Sequence, residues 1–184
     1  MASVGDLLTF APRAASKLSG PRQGLRCGTS ATRWYDLGCR LEASDSHAAI
    51  AAYERARAGC PGLADAQNNL GRLHHEAGAL AVAEGCYRLA IRADANVPLY
   101  WFNLGVVVED QGRGAEAIAA YERALELDDD VADAHYNLAR LLEVTGRGQQ
   151  IDAATRPASW VLLQRAVRHL LRYRALTGRR VAAR

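Results

Sequence analysis

Apolar residues recur at intervals of three and four along residues 31 to 146, in short runs broken by glycine or by polar clusters. Ala83, Tyr87 and Ala90 show the spacing, and Ala117, Tyr121 and Ala124 show it again. The pattern predicts pairs of amphipathic helices. Each pair is joined near Gly78, Gly112 or Gly146, since glycine adopts the left-handed conformation that a helix end favours. No alternating strand pattern is present, so the expected class is all-α.

The helix pairs form a repeat. Leu70, Leu104 and Leu138 follow one another at a fixed interval, each behind an asparagine (Asn69, Asn103, Asn137) and before a small residue (Gly71, Gly105, Ala139). The same interval relates Ala83 to Ala117, Tyr87 to Tyr121 and Ala90 to Ala124. An earlier copy runs through Trp34-Tyr35-Asp36-Leu37-Gly38 and residues 49 to 56, one residue short. The units read as 31 to 63, 64 to 97, 98 to 131, and a first helix at 132 to 146. One hairpin cannot bury its own apolar face, so the expected architecture is an α-solenoid of about 3.5 to 4 repeats with a concave side. Glycine and alanine at the seams let the paired helices approach closely while leucine and aromatic residues fill the rest.

At these positions the chain resembles the tetratricopeptide repeat family, of the bacterial type. That family has a bulky residue at position 4 (Trp34, Trp101), Leu-Gly at 7 and 8, alanine at 20 and 27, and an aromatic at 24 (Tyr87, Tyr121). The proline usual at position 32 is replaced by Ala95 and Asp129, although Pro61 stands at the corresponding place in the short unit. The resemblance covers roughly residues 31 to 146. It implies an interaction module whose first helices line a groove, and there Asn69, Asn103 and Asn137 form a ladder. This is similar to the asparagine ladders of kinesin light-chain and N-acetylglucosamine transferase arrays, which hold peptide backbone. The expected peptide-contacting set is Tyr35, Asn69, Arg72, Phe102, Asn103, Tyr136, Asn137 and Arg140. An asparagine amide both donates and accepts, so it can grip a backbone whatever the peptide sequence; alternatively, the amides bond neighbouring units and set their spacing. The lysines of chaperone-binding carboxylate clamps are missing.

Charge divides the chain. Residues 1 to 30 carry four basic and one acidic residue, residues 31 to 146 ten and 18, and residues 147 to 184 nine and one. The last stretch, after an inserted loop at 147 to 158, resumes an apolar period at Trp160, Leu163, Val167 and Leu170. A basic capping helix over 159 to 177 is predicted, with Ser159 as its N-cap, a short helix near 150 to 154, and a disordered tail from 178. Arg165, Arg168, Arg172, Arg174, Arg179 and Arg180 either solvate that cap or dock nucleic acid, anionic lipid or an acidic protein. Some bacterial arrays of this kind follow a winged-helix DNA-binding domain, and residues 1 to 30 are too short to be one. The second reading is therefore a regulator component with nucleic-acid contact through the basic helix. A third is a self-assembling structural protein.

Other chemistry is sparse. Residues 1 to 30 mix Gly, Ser, Pro and Arg and are expected to be mostly disordered. No run approaches a membrane span, and a cytoplasmic location is the default. Cys27, Cys39, Cys60 and Cys86 show no ligand spacing and are expected as free thiols. His74-His75-Glu76 places neighbours on different helix sides, which argues against a metal site. Asp128 to Asp130 reads as a capping segment, with Asp130 near the next helix start. No phosphate loop or nucleophile motif is present, so neither catalysis nor a cofactor is expected.

Overall fold

The structure, a computed structural model, describes residues 27–148 and 156–182. These residues form eight helices and no strand: α1 (Thr29–Leu41), α2 (Ser46–Gly59), α3 (Ala64–Glu76), α4 (Leu80–Ala93), α5 (Pro98–Asp110), α6 (Gly114–Leu127), α7 (Ala132–Gly148) and α8 (Arg156–Ala182). Each odd helix pairs with the even helix that follows, and each even helix then packs on the next odd one. This is the solenoid that the repeat predicts.

Local chemistry sets the boundaries. Asp45 caps α2 by accepting the Ala48 N–H at 3.0 Å, and Pro98 opens α5, where its missing N–H costs nothing. Gly78 (φ 75°) and Gly112 (φ 77°) close α3 and α5 in the left-handed conformation. The next N–H reaches back in each case, from Ala79 to His74 O and from Arg113 to Val108 O. At the links between units, where Ala95 and Asp129 stand in place of proline, Asp94 and Asp128 accept the N–H two residues on, from Asn96 at 3.0 Å and Asp130 at 2.9 Å. An aspartate turn therefore fixes the link.

The fourth unit departs from this scheme. Gly146, expected as a turn glycine, lies inside α7, which runs on to Gly148; the added Cβ of any other residue would meet Ser159 O at 3.3 Å. Ser159 in turn is no N-cap: α8 begins at Arg156, and Ser159 is buried within it. The helix continues to Ala182, beyond the end expected at 177. Asp130 does not cap α7 either. Val131 O accepts the first backbone bonds of that helix, from the Ala134 and His135 N–H groups, while the Asp130 carboxylate accepts from Arg172 at 2.8 Å. The expectations for residues 1 to 26, for the short helix near 150 to 154 and for 183 to 184 lie outside the described residues.

Buried tyrosines and alanines make up the core. Tyr53, Tyr87 and Tyr121 fill it beside Ala49, Ala56, Ala83, Ala90, Ala117 and Ala124. One expectation is overturned: Cys27 and Cys60 form a disulfide, with Cα atoms 5.4 Å apart, whereas Cys39 and Cys86 are free. The pairing was invisible in linear spacing because it follows from folding, which lays the end of α2 over the start of α1 and brings Gly59 against Ala31. At the far end, α8 covers α7 with Leu162, Ala166 and Tyr173, leaving Trp160, Val161, Val167, Leu170 and Leu171 exposed. None of the described helices is long and apolar enough to cross a membrane.

Candidate functional site

The odd helices line one face, and a repeated polar rung crosses it between units. At the first junction the Tyr53 hydroxyl donates to Glu42 Oε1 at 2.5 Å. Asn69 of the next unit donates to that same hydroxyl at 3.1 Å, and Arg72 pairs with Glu42 at 2.7 Å. The third junction repeats the arrangement. Tyr121 donates to Glu109 at 2.9 Å, Asn137 donates to the Tyr121 hydroxyl at 3.4 Å, and Arg140 pairs with Glu109. Burial first, and the neighbouring carboxylate after it, push the Tyr121 phenol well above its ordinary range, which keeps it a donor. These four-residue ties cross-link units through partly buried, charge-assisted bonds.

The middle junction is built differently. His75 stands where the other rungs have glutamate, and Val106 where they have arginine. His75 Nε2 lies 2.6 Å from the Asp110 carboxylate instead. Asn103 turns toward Asn68 and donates to its Oδ1 at 2.8 Å.

The ladder asparagines thus all bond the neighbouring unit, as the spacing alternative holds, while each remains only partly buried. Arg72 and Arg140 are tied in the same rungs. Tyr35 is half-buried against Tyr53, with ring centres 5.6 Å apart. Tyr136 is 40% exposed beside Tyr173. Phe102 is corrected: it is 7% exposed and packs in the core on Tyr121, so it underlies the face rather than presenting area on it.

Sequence reasoning missed the rungs as a set. Their signal was nonetheless present, because Glu42 and Glu109, and likewise Arg72 and Arg140, occupy equivalent positions of alternate junctions. It also missed Glu84, a buried carboxylate of α4. Arg113 holds it at 2.8 Å, Arg88 at 2.6 Å and Gln111 at 2.9 Å. Burial raises its pKa, but the bonds from Gln111 and Arg113 with the charge of Arg88 outweigh that and hold the carboxyl below its usual range. On the basic helix, Arg165 pairs with Glu122, and Arg172 with Asp129 and Asp130. Among the described residues no cluster of three metal-ligating side chains occurs.

Family profiles described as "Tetratricopeptide repeat" and "TPR repeat" match residues 40–98 and 110–146. Among curated proteins, none matches the chain in sequence. Solved structures share the fold. A crystal structure of MamA superposes with a TM-score of 0.68 at 17% identity, covering 83% of this chain and 81% of that one. MamA residues 41-end from Desulfovibrio magneticus RS-1 give 0.64 at 15% identity, covering 80% and 76%. The first repeat domain of Spaghetti (RPAP3), bound to an HSP90 peptide, gives 0.61 at 20%, covering 63% and 93%.

Proposed function

Because the chain belongs to the tetratricopeptide repeat family, we propose that it acts as an adaptor or scaffold by holding an extended peptide segment of a partner protein along the face of its odd helices. One observation carries the reading. The ladder asparagines Asn69, Asn103 and Asn137 and the rung arginines Arg72 and Arg140 are only partly buried, so polar groups that can meet a peptide backbone recur along the odd-helix face. Tyr35 and Tyr136 add aromatic area at the first and last units, and Phe102 supports the floor beneath. The HSP90 peptide bound to the Spaghetti domain is consistent with this use of the fold.

Mechanistically, the rungs hold the amides in place before a ligand arrives, so little ordering cost remains for binding. Each backbone bond contributes about 0.5–1.5 kcal/mol net, and specificity falls to the apolar contacts between them. The nucleic-acid alternative finds less support. Arg165 and Arg172 of α8 are engaged with Glu122, Asp129 and Asp130 of the array, which takes up part of the positive charge a phosphate backbone would need.

A peptide array probed with the intact protein tests the proposal. Binding should weaken about tenfold or more in Tyr136→Ala combined with Asn137→Ala, with helicity unchanged. Unaltered binding by that variant contradicts groove recognition.

A further inference from the structure

The middle junction lacks its rung, and the groups left over form a site. Tyr87 occupies the position of Tyr53 and Tyr121 and is 1% exposed, yet its hydroxyl has no hydrogen-bond partner among the described residues. Among the described residues the fully enclosed, unpaired side-chain atoms are Gln67 Oε1 and Arg172 Nε, and the Tyr87 hydroxyl is not one of them. The two groups that bond the tyrosine in the complete rungs are missing here: His75 stands in place of the glutamate and faces Asp110, and Asn103 donates to Asn68 instead. A phenol held in a protein seam without an acceptor depends on solvent or on a ligand to supply one.

We infer that this junction, formed by Tyr87, Asn103 and Val106, is the anchoring position of the proposed groove, taking one backbone amide of an extended peptide together with an apolar side chain. The inference rests on the groove reading above and locates its specificity. Chemistry selects the occupant. The Tyr87 O–H needs an acceptor, which a peptide carbonyl supplies. The Asn103 Nδ2 is engaged with Asn68, so its Oδ1 is the atom that faces a peptide N–H. Val106 stands where Arg72 and Arg140 stand in the flanking units, so an apolar side chain replaces the arginine at this one position and suits a leucine- or valine-like side chain rather than an acidic one. The rungs on either side are closed by ion pairs, which confines the opening to one unit.

The first test needs no ligand. Tyr53→Phe and Tyr121→Phe remove hydroxyls bonded to glutamate and asparagine and should lower Tm, whereas Tyr87→Phe should leave it unchanged. An equal drop for Tyr87→Phe would show the hydroxyl bonded within the chain and overturn the site. The second test uses as probe peptides selected from a random display library on the intact protein and labelled with fluorescein. His75→Glu combined with Val106→Arg rebuilds the rung; it should fold with unchanged or higher Tm and weaken peptide binding at least about tenfold, while Tyr87→Phe weakens it about fivefold. Peptides that respond to Tyr136→Ala but ignore both middle-junction changes overturn this inference and leave the groove standing. Indifference to all three variants, or failure to select any peptide, overturns both.

Discussion

Gly38, Gly71 and Gly105 are each crossed by the tyrosine ring of their own unit, and a Cβ at any of them would stand 2.6 Å from a ring carbon of Tyr53, Tyr87 or Tyr121. The glycine is therefore there for close approach, not for backbone freedom. Gly105→Ala should destabilise the fold by about 1–3 kcal/mol in urea melts, since the ring is fully buried and has nowhere to shift. Gly85→Ala offers the contrast. It lies in α4 with nothing within 4 Å of an added Cβ, so it should be neutral or stabilise by up to about 1 kcal/mol through helix propensity alone. Both halves of the glycine–tyrosine pair were legible as repeated positions. Their contact was not, because helix periodicity reports which face a residue occupies and says nothing of which ring crosses it.

Two elements carry conditional stability. The α7–α8 contact includes His135 and His169, whose Nδ1 atoms are 2.8 Å apart. Burial, then His135, Arg165 and Arg168, lower the His169 pKa to about 4, and Asp129 opposes them only in part. Its folded pKa lies below the unfolded value near 6.5, so the unfolded chain binds more protons between those values. Stability is then complete above about pH 6.5 and is lost as pH falls toward about 4. A melt of wild type should lose Tm across that window, and His169→Gln should flatten the slope; an unchanged slope in the variant would show that His169 does not carry it. At the other end, the Cys27–Cys60 disulfide closes a loop over the whole first hairpin. Reduction, or Cys60→Ser, should cost about 3–4 kcal/mol on the chain-entropy account and loosen α1 first, measured as faster amide exchange in residues 29 to 41. Helix existence, the units and the turn glycines of the second and third hairpins could be read from the sequence because they rest on local periodicity. The helical fate of Gly146, the early start of α8 and the disulfide could not, because each depends on contacts across the fold.

At the scale of the whole molecule, the charge division of the sequence becomes a division of surfaces. Glu122, Asp129 and Asp130 of the array meet Arg165 and Arg172 of α8, so part of that helix's charge is neutralised. In the stack itself, two complete rungs bracket a junction whose tyrosine has no hydrogen-bond partner among the described residues, an asymmetry hidden within nearly identical repeats. Of the eight candidate contact residues, seven lie half-buried or exposed, and Phe102 is in the core because position 5 of that unit packs on Tyr121. What periodicity could not reveal was that the same side chains bind the units to each other. The most direct test of the account is hydrogen–deuterium exchange of the intact protein with and without a library-selected peptide. Slowed exchange concentrated in α3, α5 and α7 is the predicted result; slowing confined to α4, α6 or α8 would contradict recognition on the odd-helix face.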